Sequence, residues 1–173
     1  MKHDNRETMP GTVYVYEKPA GGWISMMQTA KLDPRPTRGG ALGNAVAIAP
    51  GIIVAGVPVA TTNGAVWIFD EPAGGWVDSS EASYVLTEPD TSALGGSVSL
   101  TQNGQVLTAS CGITRYKPRS VDLAYVWHAD QQWSKTIRLS SEGEAMTAGT
   151  SASTANWAFT GDGEGNVFVF DGK

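Results

Sequence analysis

Residues 64–76 read GAVWIFDEPAGGW, and residues 11–23 read GTVYVYEKPAGGW. The two stretches agree in residue or residue type at most of their thirteen positions, at an offset of 53. Residues 124–133, AYVWHADQQW, form a third copy that is shorter by one residue between aromatic strand and tryptophan. Residues 165–173, GNVFVFDGK, form a fourth that stops before its tryptophan. Tyr16, Phe69, Trp127 and Phe170 mark one equivalent position, spaced 53, 58 and 43 residues apart. Self-similarity at such periods signals a repeat architecture, in which one supersecondary unit is stacked on the next.

Within each copy two residue kinds alternate. Val13/Val15, Val66/Ile68, Ala124/Val126 and Val167/Val169 occupy one phase. Tyr14/Tyr16, Trp67/Phe69, Tyr125/Trp127 and Phe168/Phe170 occupy the other. Side chains of a strand point alternately to opposite faces, so each copy is a strand apolar on both sides. Such a strand belongs between two layers.

Working outward, a second unit recurs between these strands. Residues 42–58 read LGNAVAIAPGIIVAGVP, 94–110 read LGGSVSLTQNGQVLTAS and 148–162 read AGTSASTANWAFTGD. Each is a small-residue pair, a short alternating strand, a turn and a second strand, with Pro50-Gly51 and Asn103-Gly104 as hairpin signals. A fourth strand is expected after each tryptophan, over 23–32, 76–86 and 133–139, with Ala-Gly-Gly as the joining turn. The other strands are expected near 12–17, 45–49, 52–57, 65–70, 97–101, 105–110, 123–128 and 166–171. Glycine and proline interrupt most windows, and no helical apolar spacing persists. The expected fold is all-β, a β-propeller-like array of about three four-stranded blades. The third and fourth strands of an opening repeat (11–32) precede repeats at 33–86 and 87–139, and a partial repeat fills 140–173. Residues 1–10 read as a disordered tail.

The repeat resembles the FG-GAP repeat of integrin α-chain-type β-propellers, in its bacterial form. Leu42-Gly43, Leu94-Gly95 and Ala148-Gly149 stand where that family has Phe-Gly. Residues 54–58, VAGVP, stand where it has Val-Gly-Ala-Pro, ahead of the Gly-x-Val-aromatic strand. The phenylalanine is absent from all three copies. The resemblance implies an extracellular or cell-surface setting, although residues 1–10 carry no apolar core of a signal peptide. The family also often holds calcium in the turn between first and second strands. The corresponding turns here, 49–51, 101–104 and 155–156, contain no acidic residue. Calcium needs six to eight oxygens, largely from carboxylates, so no metal site is carried over. The acidic stretch 161–166, GDGEGN, lies in the next turn along and reads as the approach to the last strand.

The search for chemistry finds little. The sequence has 173 residues, a net charge of −5 and only 17% charged residues. The acidic balance argues against nucleic acid as a partner, and no apolar run approaches the ~20 residues of a membrane helix. The single cysteine, Cys111, excludes an internal disulfide framework and reads as a small buried residue. His128 stands near Asp130, but aligns with Glu17 and Asp70 as an ordinary turn residue. No nucleophile elbow or metal-spaced Cys/His set occurs. Trp23, Trp76 and Trp133 invite a sugar-stacking reading, while their recurrence suits core or blade-contact roles. One basic cluster, with Arg115, Tyr116, Lys117 and Arg119, falls in the link between a second and a third strand. As a positive, aromatic loop on an acidic protein it is the candidate ligand-binding site.

The sequence therefore points to a non-catalytic binding or scaffold module with no cofactor. The alternatives are a carbohydrate-binding lectin built from the same repeats and an accessory domain of a larger exported enzyme. The expected partners are a protein or glycan ligand and a second copy of the chain, or else missing blades of a longer chain. About three blades cannot close a ring that needs four to eight. Left open, the arc would expose Tyr14, Tyr16, Phe168 and Phe170, and the expected homodimer closes a six-bladed ring in which the two copies share the blades at the seams.

Overall fold

A sheet with two apolar faces is stable only when both are covered, and the chain arranges this by stacking four antiparallel sheets. The computed structural model describes residues 11–34, 40–59, 63–89, 91–112, 121–141, 148–162 and 165–171. The first sheet pairs β1 (Val13–Val15) with β2 (Ala30–Leu32). The second is the meander β3 (Val46–Ala49), β4 (Ile52–Val57), β5 (Ala65–Asp70) and β6 (Tyr84–Leu86). The third repeats it with β7 (Ser92–Leu100), β8 (Val106–Gly112), β9 (Val121–His128) and β10 (Thr136–Ser141). The fourth holds β11 (Ala148–Ser153), β12 (Trp157–Asp162) and β13 (Val167–Asp171). The described residues contain no α-helix, only a 3₁₀ turn at Ala129–Gln131. The fold is all-β, and its division into sheets of two, four, four and three strands follows the sequence repeat.

The two alternating residue sets become two kinds of sheet face. Val13 and Val15 of the first sheet pack with Ile53, Ala55, Trp67 and Phe69 of the second. Val54, Val66 and Ile68, on the second sheet's other side, pack with Leu107, Ala109, Tyr125 and Trp127 of the third. Val106 and Val126, on the far side of the third, meet Ala158 and Phe170 of the fourth. At each of the three junctions the aliphatic face of one sheet therefore meets the aromatic face of the next. Tyr125 and Trp127 stack with centroids 5.9 Å apart. The Trp127 indole N–H donates to Thr136 Oγ1 at 3.0 Å, and that hydroxyl donates to Glu88 Oε1 at 2.6 Å. Cys111 is buried in the same cluster.

Contacts between sheets concentrate at the first strands. β7 touches β3, β4 and β5 of the sheet before it, and β11 touches β7, β8 and β9. Glycine permits this approach. Gly64, at φ +79°, bridges Leu94 of the next sheet, and a Cβ there would fall on the Leu94 backbone. Gly11 and Leu42 repeat the arrangement one sheet earlier. The repeat's glycines and its Leu-Gly pairs are thus two halves of one contact.

The third junction is built differently. Ser97 and Ser151 share a hydrogen bond at 3.2 Å between hydroxyls, and Ser99 and Ser153 share one at 3.1 Å. The backbone N–H groups of Ser151 and Ser153 each donate to the facing serine at 3.0 Å. Ser110 Oγ donates to the Gly149 carbonyl at 3.3 Å. Thr108 and Thr160 are buried on this junction's two sides with no hydrogen-bond partner for either hydroxyl.

Several strands differ from their expected bounds. The fourth strands are shorter or displaced: β2 starts at Ala30 rather than 23, β6 at Tyr84 rather than 76, β10 at Thr136 rather than 133. The tryptophans do not begin them. The Gly22 N–H donates to the Pro19 carbonyl and that of Gly75 to Pro72, both at 2.9 Å. These bonds curl the Pro-Ala-Gly-Gly segments into turns. The chain after the second turn runs beside β2 instead: Asp33 N donates to Ser79 O at 2.9 Å and Ser79 N to Lys31 O at 3.0 Å. Phe168 and Phe170 also differ from expectation. Both are half-buried, Phe170 against Val106 and Val126 of the third sheet, and the exposed residues of β13 include Val167 and Val169.

Two stability measurements check this packing. Trp127→Ala should lower unfolding free energy by ~3–5 kcal/mol in a urea titration, the usual cost of truncating a buried aromatic. Thr108→Val puts an aliphatic group where the equivalent position of the second sheet has Val54. It should raise stability by ~1 kcal/mol in the same assay, since an unsatisfied buried hydroxyl is removed.

Candidate functional site

The basic cluster Arg115, Tyr116, Lys117 and Arg119 lies outside the described residues. Its anchors are defined: β8 ends at Gly112 and β9 begins at Val121. Gly112 and Val121 stand at the end of the third sheet opposite the hairpin turn between its first and second strands. Part of the acidic stretch 161–166 also falls outside the described residues. Among the described residues no three His, Cys, Asp or Glu side chains gather as metal ligands.

Grooves open at the other end of the sheets, where first–second strand turns and third–fourth strand links meet. Between the first and second sheets Val15, Tyr16 and Glu17 leave β1 beside Ile48–Gly51 and the Glu71–Trp76 link. This open groove has a volume of about 430 Å³. Its position is held by backbone bonds. Glu17 N donates to Thr29 Oγ1 at 3.1 Å, and Glu71 N donates to the Gly51 carbonyl at 2.8 Å. Trp76 packs partly buried on the first core cluster, and Tyr16 stands half exposed. Two aromatic side chains and two exposed carboxylates thus share one concave surface. Aromatic faces attract cations, and carboxylates pair with them or accept hydrogen bonds from hydroxyls.

Between the third and fourth sheets a groove of about 600 Å³ is lined by Thr101, Gln102, Asn103, Ser153, Thr154 and Ala155. Several of its polar atoms shape its own turns. Thr101 Oγ1 accepts from Val106 N at 2.9 Å and donates to Asn103 Oδ1 at 2.8 Å, and Thr154 Oγ1 accepts from Trp157 N at 3.1 Å. A smaller cleft of about 90 Å³ beside it holds His128, Trp157, Phe170 and Asp171. His128 and Asp130 sit at the 3₁₀ turn after β9, as their alignment with other turn residues implies.

The three equivalent tryptophans have unequal fates. Trp133 is 5% exposed within the second core cluster, Trp76 is half-buried, and Trp23 is 66% exposed. Trp76 and Trp133 pack on the sheet that precedes their own, and among the described residues no sheet precedes that of Trp23. The groove of Tyr16, Glu17, Glu71 and Trp76 was not legible as a site from the repeat alone. Its members come from two sheets, and their juxtaposition depends on the stacking. Comparison with known proteins finds no family model and no curated protein that matches this chain.

The inequality of the tryptophans has a direct check. Trp133→Ala should cost ~3–5 kcal/mol in chemical denaturation. Trp23→Ala should stay within ~0.5 kcal/mol, as for most surface changes.

Proposed function

We propose that the chain is a non-catalytic binding and scaffold module, built as a section of a β-propeller from FG-GAP-like blades. The observation that carries the propeller reading is the sense of the stacking. Three successive junctions join aliphatic to aromatic faces in the same direction. The approach of first strands to one another suits blades fanned about an axis, with those strands innermost. The glycine contacts fall at the repeat's own Leu-Gly pairs. On this reading the four sheets are four blades, of which the first and last have fewer than four strands.

The binding surface is the end of the fan that carries Tyr16, Glu17, Glu71 and Trp76. Its chemistry suits a lysine- or arginine-bearing segment of a partner protein, with the cation set between aromatic faces and carboxylates. The grooves between different sheets are unlike in lining, which favours one protein-binding site over the repeated pockets of a lectin. An array of basic and acidic peptides, run beside a glycan array, tests the reading. Basic peptides should bind, and the double change Glu17→Gln with Glu71→Gln should weaken them about tenfold, the loss of two exposed ion pairs near 0.5–1 kcal/mol each. Glycan binding without peptide binding would replace this reading by the lectin.

A further inference from the structure

The outer edges of the first two sheets are alike in register and unlike in cover. Val13 pairs with Leu32 in the first sheet, and Val66 pairs with Leu86 in the second. Lys31 and Asp33 are therefore the counterparts of Val85 and Thr87. The edge of β2 is occupied. Lys31 N donates to Asp78 Oδ1 at 2.7 Å and Ser79 N to the Lys31 carbonyl at 3.0 Å, while Asp33 N donates to the Ser79 carbonyl at 2.9 Å. Ser79 bridges Leu32 in the parallel sense. Asp78 and Ser79 thus lie along β2 as a short added strand. The edge of β6 is open. Among the described residues nothing bonds the backbone of Val85 or Thr87 from outside the sheet. Val85 is 55% exposed, and Tyr84 and Thr87 are exposed with it.

Link length explains the difference. Residues 77–83 separate Trp76 from β6, which lets the second sheet's link reach back to β2. Only Ser134 and Lys135 separate Trp133 from β10, and the third sheet's link makes no such return to β6. Residue types make the open edge the more adhesive of the two. Natural edges are commonly blunted by a charge or a proline. β2 carries Lys31 at its centre although it is covered. β6 reads Tyr-Val-Leu, uncharged and strand-favouring, and stands bare. It belongs to the second sheet, which packs on the first and on the third.

We propose that the β6 edge is a docking site for an extended, acidic segment of a partner protein, taken up as an added parallel strand. Asp78 and Ser79 on β2 are the pattern for the occupant. By that pattern an aspartate carboxylate accepts from Val85 N. The residue after it donates to the Val85 carbonyl and accepts from Thr87 N. Main-chain bonds of this kind supply the affinity in strand addition, and the bond to a carboxylate is stronger for its charge. Serine suits the second position. Ser79 Oγ accepts from Glu81 N at 3.1 Å and donates to the Glu81 carbonyl at 2.9 Å, which turns the segment away from the edge. The surface differs from the groove of Tyr16, Glu17, Glu71 and Trp76 in its residues and in the charge it selects.

The probe is a synthetic peptide of residues 76–82, WVDSSEA, added to the full chain while amide hydrogen exchange is followed by nuclear magnetic resonance. In the free chain the Lys31 and Asp33 amides should be protected, and those of Val85 and Thr87 should exchange freely. Peptide at roughly ten times its Kd should slow Val85 and Thr87 about tenfold. The same peptide N-methylated at Ser79 lacks the N–H donor and should leave both amides unchanged, as should the peptide carrying Asp78→Lys. Val85 and Thr87 amides already protected in the free chain would overturn the proposal. So would an absence of slowing at the highest soluble peptide concentration, or equal slowing by either altered peptide. Protection that grows with chain concentration, without peptide, would overturn it in favour of a second copy at this edge. The chain carrying Glu17→Gln with Glu71→Gln should respond to the peptide as the wild type does. A response lost in that variant would assign the peptide to the groove and overturn the docking edge.

Discussion

The packing of an aromatic sheet face on the aliphatic face of the sheet before it is the interaction on which the rest depends. Each sheet is small, at most four strands, and buries little within itself. The wide aromatic side chains span the gap to the preceding layer, and each buries a large apolar area there. The polar fastenings are placed around this contact. The Trp127 indole reaches Thr136 and, through it, Glu88 in the segment between sheets. Stability in such a stack is close to a sum over neighbouring layers, so each junction contributes according to its own composition.

A second constraint is the closeness of backbones near the first strands. Gly11 against Leu42 and Gly64 against Leu94 leave no room for a side chain. This close approach on one side and the aromatic filling on the other give the first two junctions unequal sides, which is what the proposed fan of blades needs. The grooves at the turn-bearing end lie between neighbouring sheets. The groove with Tyr16, Glu17, Glu71 and Trp76 exists because the links after β1 and β5 arrive at the same gap from different layers.

Much of the fold was legible in the sequence because period-2 alternation survives in every third strand. The strands β4 and β5 coincide with their expected bounds. The hairpins followed from Pro50-Gly51 and Asn103-Gly104. The fourth strands were read too long, because Trp76 and Trp133 look like strand residues while they lie in the links before β6 and β10 and pack on the core clusters from there. Trp23 shows the same limit from the other side: its sequence context matches Trp76, yet it is exposed where no described layer lies before it. The direction each alternating set faces was invisible for the same reason. Alternation separates two faces but does not say which neighbour each will meet, so Phe168 and Phe170 were assigned to the free face that Val167 and Val169 hold. The site was the least legible feature, since its residues are distant in sequence and joined only by stacking.

The serine pairs between β7 and β11 have a consequence for alignment. Apolar faces attract without direction, so two of them can slide along each other by part of a residue at little cost. Hydrogen bonds are directional. Ser97 with Ser151 and Ser99 with Ser153 are both 54 residues apart, two rungs on adjoining first strands. A slip of one residue, about 3.3 Å along a strand, would carry each serine out of hydrogen-bond reach of its partner and break both rungs together. The junction that gives up the most apolar contact therefore gains a detent, a notch at which the last sheet comes to rest, and the uneven loop lengths elsewhere in the repeat can vary without shifting it.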